Sequence, residues 1–195
     1  MAVKLVKPIN HKKVVKITNQ DFEAKMRELR VNSDIAVAVS GGPDSLALMH
    51  LSNRYALKNN INLTVLSIDH GIRAESSKEI VWLKKVAKKN KINFYSTKLK
   101  KKINSSNTLS KARTLRYEAL SKYCNKKKIK FLLTAHHLDD EIENFLMRLV
   151  RGSGIKGLSS LKVKSRYKNT KLILVRPLLE YSKKSLIQYL SLIHI

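Results

Sequence analysis

At 195 residues and 43% hydrophobic content the chain is long enough for one α/β domain with a sizeable core and cramped for two. Its single cysteine, Cys124, excludes an intramolecular disulfide framework and a multi-cysteine metal site. Forty Lys and Arg against fourteen Asp and Glu leave a net charge of +26, beyond what solubility requires, so a polyanion such as nucleic acid is the expected partner, with lysine-rich compositional bias as the competing origin.

Residues 1–20 read as a basic tail without the apolar core and small-residue cleavage site of a secretory signal. No apolar run reaches the ~18 to 20 residues of a membrane span, so a cytoplasmic protein is expected. Phe22, Met26 and Leu29 then recur at the spacing of one helix face, and Ile35 to Val39 is a short apolar strand stopped by Ser40-Gly41-Gly42-Pro43. Leu46, Leu48, Met49, Leu51, Tyr55 and Leu57 suit a buried helix, and Leu63 to Ile68 a second strand ending at Asp69. Ser76 and Glu79 have capping-box spacing ahead of a helix through Ile80, Leu83 and Val86 or Ala87. Ile92 to Tyr95 is a third strand, Ser96 to Asn107 a long basic loop, and Leu109 to about Tyr123 a helix. Ile129 to Thr134 is the fourth strand, followed by His136 to Asp140 and a helix carrying Ile142, Phe145, Leu146, Leu149 and Val150. Gly152, Gly154 and Gly157 mark a flexible loop, Tyr167 to Asn169 a turn, Leu172 to Val175 a fifth strand, and Ser182 to His194 a closing helix.

Alternating strands and helices with near-continuous apolar strands predict a Rossmann-like α/β fold, a parallel five-stranded sheet with helices on both faces. In such sheets ligands bind beyond the carboxyl ends of the strands, and the unusual sequences fall there.

The first is Ser40-Gly41-Gly42-Pro43-Asp44-Ser45. Its glycines permit a tight turn close to phosphate, Pro43 fits the first position of a helix, and the free N–H groups behind it can receive phosphate oxygens. It is neither a Walker loop nor a G-x-G-x-x-G turn. A carboxylate beside phosphates calls for a divalent cation between them, so Asp44 predicts Mg²⁺; a plain helix cap is the bland alternative. The second is His136-His137-Leu138-Asp139-Asp140 with Glu143, where each acid pair three or four apart can share a helix face beside a cation. Adjacent histidines diverge and make a poor joint metal site. Arg113, Arg116 and Tyr117 can clamp a phosphate or stack on a base, or simply face solvent. Lys98 and Lys100 to Lys102 form an ambiguous basic patch, Trp82 is expected in core or domain-interface packing in preference to a nucleic-acid platform, and Cys124 reads as a helix-end residue.

Taken together, the Ser40–Ser45 run resembles the loop of the N-type ATP pyrophosphatases, the PP-loop superfamily. Asp69-His70-Gly71-Ile72-Arg73, Ala112-Arg113-Thr114-Leu115-Arg116-Tyr117, His136-His137-Leu138-Asp139-Asp140-Glu141, the Arg151 to Leu158 segment and Arg176-Pro177-Leu178-Leu179 follow in the order seen in the tRNA(Ile)-lysidine synthetase family. The resemblance covers about residues 33 to 189 and implies an adenine nucleotide alpha hydrolase-like domain over residues 21–189. It implies a ligase that transfers AMP from ATP to C2 of the wobble cytidine in tRNA(Ile) with a CAU anticodon, then admits free L-lysine. Ser40, Gly41, Gly42, Pro43, Asp44, Ser45 and Asp69 would hold ATP, with Asp44 and Asp140 on Mg²⁺. Asp44, Arg113, His136, Asp139 and Asp140 would be catalytic; Arg73, Arg116, Tyr117, His137, Glu143, Arg151 and Lys156 would meet the tRNA and lysine. A homodimer is the candidate assembly, with no membrane partner.

The chain departs from the family pattern at Glu141 and Asn144, where Gln and Thr are common. It is also expected to lack the family's helical and C-terminal tRNA-recognition domains, and Leu190 to Ile195 matches a translated sequencing-adapter end. The competing readings are another adenylating pyrophosphatase and a non-catalytic nucleotide- or tRNA-binding remnant. Thiolation is disfavoured because only Cys124 could serve it.

Overall fold

The computed structural model describes residues 16–69, 75–98, 108–152 and 161–193. Its elements are, in order, α1 (Asn19–Glu28), β1 (Ile35–Ala38), α2 (Pro43–Lys58), β2 (Leu63–Asp69), α3 (Glu75–Lys89), β3 (Asn93–Lys98), α4 (Thr108–Lys126), β4 (Phe131–Leu133), α5 (Leu138–Val150), β5 (Lys164–Arg166), β6 (Ile173–Val175) and α6 (Lys183–Leu192). The expected five parallel strands are present in the order β3-β2-β1-β4-β6. A sixth, β5, closes one edge antiparallel to β6. β5 escaped the sequence reading because its residues, Lys164-Ser165-Arg166, carry no apolar alternation. Charge on an outer strand also discourages pairing with another sheet.

Alternation along each strand divides the core into two layers. Ile35 and Val37 of β1, Val65 of β2 and Leu133 of β4 face one layer, where they meet Phe22 and Met26 of α1, Leu48 and Leu51 of α2, Leu83 and Ala87 of α3, and Leu186 of α6. Ala36, Leu66, Leu132 and Leu174 face the other, against Leu120 and Cys124 of α4. The resulting sandwich brings the carboxyl ends of β1, β2 and β4 to one rim. α1 starts with a capping box: the Thr18 N–H donates to Asp21 Oδ2 at 3.0 Å, and the Asp21 N–H donates to Thr18 Oγ1 at 3.1 Å.

Several expectations change. Leu57 is exposed, and Trp82, expected in core or domain-interface packing, is 44% exposed on α3 and so lies outside the core. α3 begins at Glu75, so Ser76 lies inside it and does not precede it as a cap. β3 runs on to Lys98, into the segment read as loop, and α4 extends to Lys126. α5 buries none of its residues: Ile142, Phe145, Leu146 and Leu149 are exposed, and Val150 is 87% exposed. Its apolar period is real, but it faces outward. α6 continues to Leu192, with Leu190 buried beside Leu186 and Tyr189. Arg73, Lys156, Lys100 to Lys102, Gly154 and Gly157, singled out in the sequence, lie outside the described residues.

Candidate active site

The loop after β1 is shaped by its own sequence. Gly41 has φ +95°, a region where a side chain is strained, and Gly42 is extended (φ −72°, ψ 161°) as the residue that enters α2. Pro43 takes the first helical position, where a missing N–H costs nothing. Ser45 ties the turn together: its Oγ donates to the Gly42 carbonyl at 2.8 Å and accepts from the Ser40 N–H at 3.3 Å. With the hydroxyl so engaged, the first-turn N–H groups of α2 remain available for an anion, and the helix dipole favours one there.

This loop borders a cavity of about 310 Å³. Ser40, Gly42, Asp44 and Ser45 form one wall; Leu66, Ser67 and Ile68 of β2 and Glu79, Ile80 and Leu83 of α3 form the next. Arg116, Tyr117 and Leu120 of α4 and the segment Thr134–His136 with Asp140 complete it. The mixture of apolar side chains and strand-end polar groups suits a nucleotide, which presents a flat apolar base and a polyanionic tail.

Opposite charges are segregated around this cavity. His137, only 5% exposed, sits among three carboxylates: its Nε2 is 3.6 Å from Asp44 Oδ2 and 3.5 Å from Asp140 Oδ2, and its Nδ1 is 3.6 Å from Asp139 Oδ2. Asp140 also receives the His137 N–H at 2.9 Å, and Asp139 receives the Lys183 N–H at 2.8 Å, so α5 and α6 are tied together at this rim. Asp44 Oδ1 is buried with no hydrogen-bond partner among the described residues. Among the described residues no group of three or more acids, histidines or cysteines is arranged to cage a metal. A hard cation that keeps most of its ligands as water and phosphate needs only one or two carboxylates, and the unpartnered Asp44 oxygen fits that requirement.

The second sector is cationic. His136 Nδ1 lies 2.9 Å from Thr134 Oγ1 and its Nε2 3.4 Å from Arg113 Nη2. Burial pushes the His136 imidazole down to about 4, aided by Arg176 and Arg113 and opposed by Asp140, so it is neutral at pH 7. Arg176 is buried and donates from Nη1 to the Lys162 carbonyl at 2.7 Å, but its Nε, like the buried Arg116 Nε, has no hydrogen-bond partner among the described residues. Arg113 lies over the Tyr117 ring at 5.8 Å, and Tyr117 stacks on Tyr167 at 5.9 Å. Guanidiniums without carboxylate partners among the described residues, beside an anion-receptive helix terminus, are poised for phosphate. By contrast, burial pushes the Cys124 thiol up to about 12, which makes it a packing residue and no nucleophile.

Of the residues singled out in the sequence, Ser40, Gly42, Asp44, Ser45, Arg116, Tyr117, His136 and Asp140 line the cavity, and Gly41, Pro43, Arg113, His137 and Asp139 adjoin those that do. Asp69 is buried at the end of β2, and the wall there is made by Ser67 and Ile68. Glu143 is exposed on α5, and Arg151 caps that helix at its far end, about 18 Å along its axis from the rim. Thr134 and Arg176 carried no sequence expectation of a site role, and Glu79 only that of a helix cap. Arg176 opens the Arg176-Pro177-Leu178-Leu179 run, whereas a strand-end threonine gives no signal at all.

The PP-loop domain family pattern matches residues 11–195. A tRNA(Ile)-lysidine synthase of Rickettsia bellii (strain OSU 85-389) is 47% identical over 159 residues, covering 82% of this chain and 36% of that protein. The tRNA(Ile)-lysidine synthase of Rickettsia typhi is 41% identical over 174 residues, covering 88% of this chain and 40% of that protein. The chain thus spans less than half the length of these curated relatives. Among solved structures, the U34-tRNA thiolase NcsA from Methanococcus maripaludis superposes with a TM-score of 0.74 at 22% identity, over 90% of this chain and 64% of that one, which speaks for the fold alone. No helix among the described residues is long and apolar enough to cross a membrane.

Proposed function

Because the chain belongs to the PP-loop domain family, we propose that it carries the ATP-binding and cytidine-adenylating site of a tRNA(Ile)-lysidine synthase. The observation that carries this reading is the meeting, around one cavity, of the Ser40–Ser45 loop, the Asp44–His137–Asp140 cluster and the Arg113–His136 pair.

In the proposed reaction ATP binds with its phosphates at the start of α2 and its base toward Ser67 and Ile68. O2 of the wobble cytidine attacks the α-phosphorus, the bond to the β-phosphate breaks, and pyrophosphate leaves. Arg113, Arg116 and Arg176 stabilise the charge that develops on phosphate oxygens, Arg116 and the buried Arg176 more effectively for being shielded from water than the exposed Arg113. Mg²⁺, when bound by Asp44 and Asp140, would neutralise phosphate charge. Neutral His136, backed by Thr134, offers a hydrogen bond without adding a positive charge to an arginine-rich wall. In the second half-reaction the lysine amine attacks C2 and AMP departs. A free amine of this type has a pKa of about 10.4, so it must shed a proton, and Asp139 or Asp140 is suited to accept it.

The decisive measurement is pyrophosphate release from ATP in the presence of tRNA(Ile) with a CAU anticodon, together with mass spectrometry of the tRNA for lysidine. Asp44→Asn removes a charge at nearly constant volume. It is expected to lower magnesium-dependent pyrophosphate release at least a hundredfold, with the circular dichroism spectrum unchanged. Wild-type release by Asp44→Asn, or no release by the native chain while it binds ATP, overturns the proposed chemistry.

A further inference from the structure

Trp82 is the chain's one tryptophan, and the site has no use for it. It stands 44% exposed on α3 beside Val81, itself 55% exposed, and together with Lys78 and Lys85 they line a shallow groove of about 340 Å³. Lys78 is four residues before Trp82 and Lys85 three after, so on a helix both flank the indole along one stripe about 10 Å long. Lys84, Lys88 and Lys89 continue the positive charge along the exposed side of the same helix, and no ion pair among the described residues engages any of these five lysines. Leu83, buried, Ile80, half-buried, and Glu79, exposed, line the candidate active site from the other side of α3. One helix therefore separates the reaction cavity from a basic, aromatic strip on the surface.

An exposed indole is costly to leave in water and offers a flat apolar face. A second copy of the chain would bring another +26 body against the strip, and an apolar protein partner would strand the lysines. An unpaired RNA segment answers both features, since its bases stack on aromatic rings and its phosphates accept lysine ammoniums.

We propose that the outer face of α3, comprising Lys78, Val81, Trp82 and Lys85, is a docking strip for single-stranded RNA, with one base stacked on Trp82 and its neighbouring phosphates held by Lys78 and Lys85. The assignment rests on the reading that the chain acts on RNA, and it adds the surface that holds the RNA beside the cavity.

Because Trp82 is unique, its emission reports the contact directly. The full chain is titrated with the anticodon stem-loop of tRNA(Ile), an oligouridylate of matched length and a blunt RNA duplex, while fluorescence anisotropy of labelled RNA gives the affinities. The stem-loop and oligouridylate are expected to quench Trp82, and the duplex to do so much less. Trp82→Ala should weaken stem-loop binding about tenfold and Trp82→Phe less, the loss expected for one base stack. Lys78→Glu with Lys85→Glu should lower the salt slope of binding by about 1.4, the value for two single-strand phosphates. MgATP affinity should be unchanged in all these variants.

Stem-loop binding without quenching, and with full affinity in Trp82→Ala, overturns the strip and leaves the RNA reading intact. Absence of RNA binding by the native chain overturns both. An emission change that follows protein concentration without RNA assigns the face to a second copy, and one produced only by an added protein assigns it to that partner; either overturns the proposal.

Discussion

Two adjacent histidines at the end of β4 meet opposite electrostatic company. His137 turns into carboxylates, whereas His136 turns toward Arg113 and the buried Arg176. The His136 pKa, lowered to about 4 from an ordinary 6.5, carries a sign that can be tested. Above pH 6.5 the folded and unfolded chains both hold it neutral. Between pH 6.5 and 4 the unfolded chain takes up a proton that the folded one refuses, so stability falls as the pH falls through that window. Partial solvent access limits the effect to about 1–3 kcal/mol. His136→Gln should flatten the urea-unfolding free energy over pH 6.5 to 4 relative to the native chain. The His136 imidazole resonance, assigned by its loss in His136→Gln, titrating near 6.5 in the NMR spectrum would contradict the described environment. The loop residues Ser40 to Ser45 and the acids Asp139 and Asp140 were legible in the sequence because each sits in a short run. The Arg113–His136 contact was not, since 23 positions separate its partners and only the sheet brings them together.

Among the elements, the strand-to-helix turn at Gly41 and the helix α5 test different rules. An added Cβ at Gly41 would meet nothing within 4 Å, so the case for glycine is its φ of +95° alone. Gly41→Ala is therefore expected to cost about 1–3 kcal/mol through backbone strain, seen as a lowered thermal midpoint together with weaker MgATP binding. Gly42→Ala, at an ordinary φ and 3.9 Å from Ser40 Oγ, should cost clearly less. On α5 the spacing of Ile142, Phe145, Leu146 and Leu149 correctly announced a helix, but periodicity reports a face and not what lies against it. Leu146→Lys should leave the chain's stability within about 0.5 kcal/mol, whereas Leu133→Ala in β4 should cost about 2–5 kcal/mol, both read from denaturant melts. A large loss in Leu146→Lys would mean that the face is covered in solution. The lysine- and arginine-bearing β5 shows the converse limit, a strand recognised only through its partner β6.

At the scale of the molecule, strand type and number were largely readable, because buried parallel strands advertise themselves as apolar runs. Their order was not: nothing local in Ile129 to Thr134 says that β4 slots in beside β1 and not next to β3, which precedes it. That placement pairs Ile35 with Phe131, so the middle of the sheet joins segments separated by nearly a hundred residues. On the ribosome, where synthesis proceeds at about 5–20 residues per second, β1 must wait roughly 5–20 s for its central neighbour. Until then Ile35 and Val37 belong to a half-sheet with one unsatisfied side, and the early helices α1, α2 and α3 can only guard it loosely. Nascent chains arrested before β4 has left the exit tunnel should be cut rapidly by a probing protease, and those arrested after α6 has emerged should resist. Equal resistance in both would mean that the first three strands fold as an autonomous unit. The vulnerability of this domain is thus one of timing, set by a strand that arrives late and completes the centre.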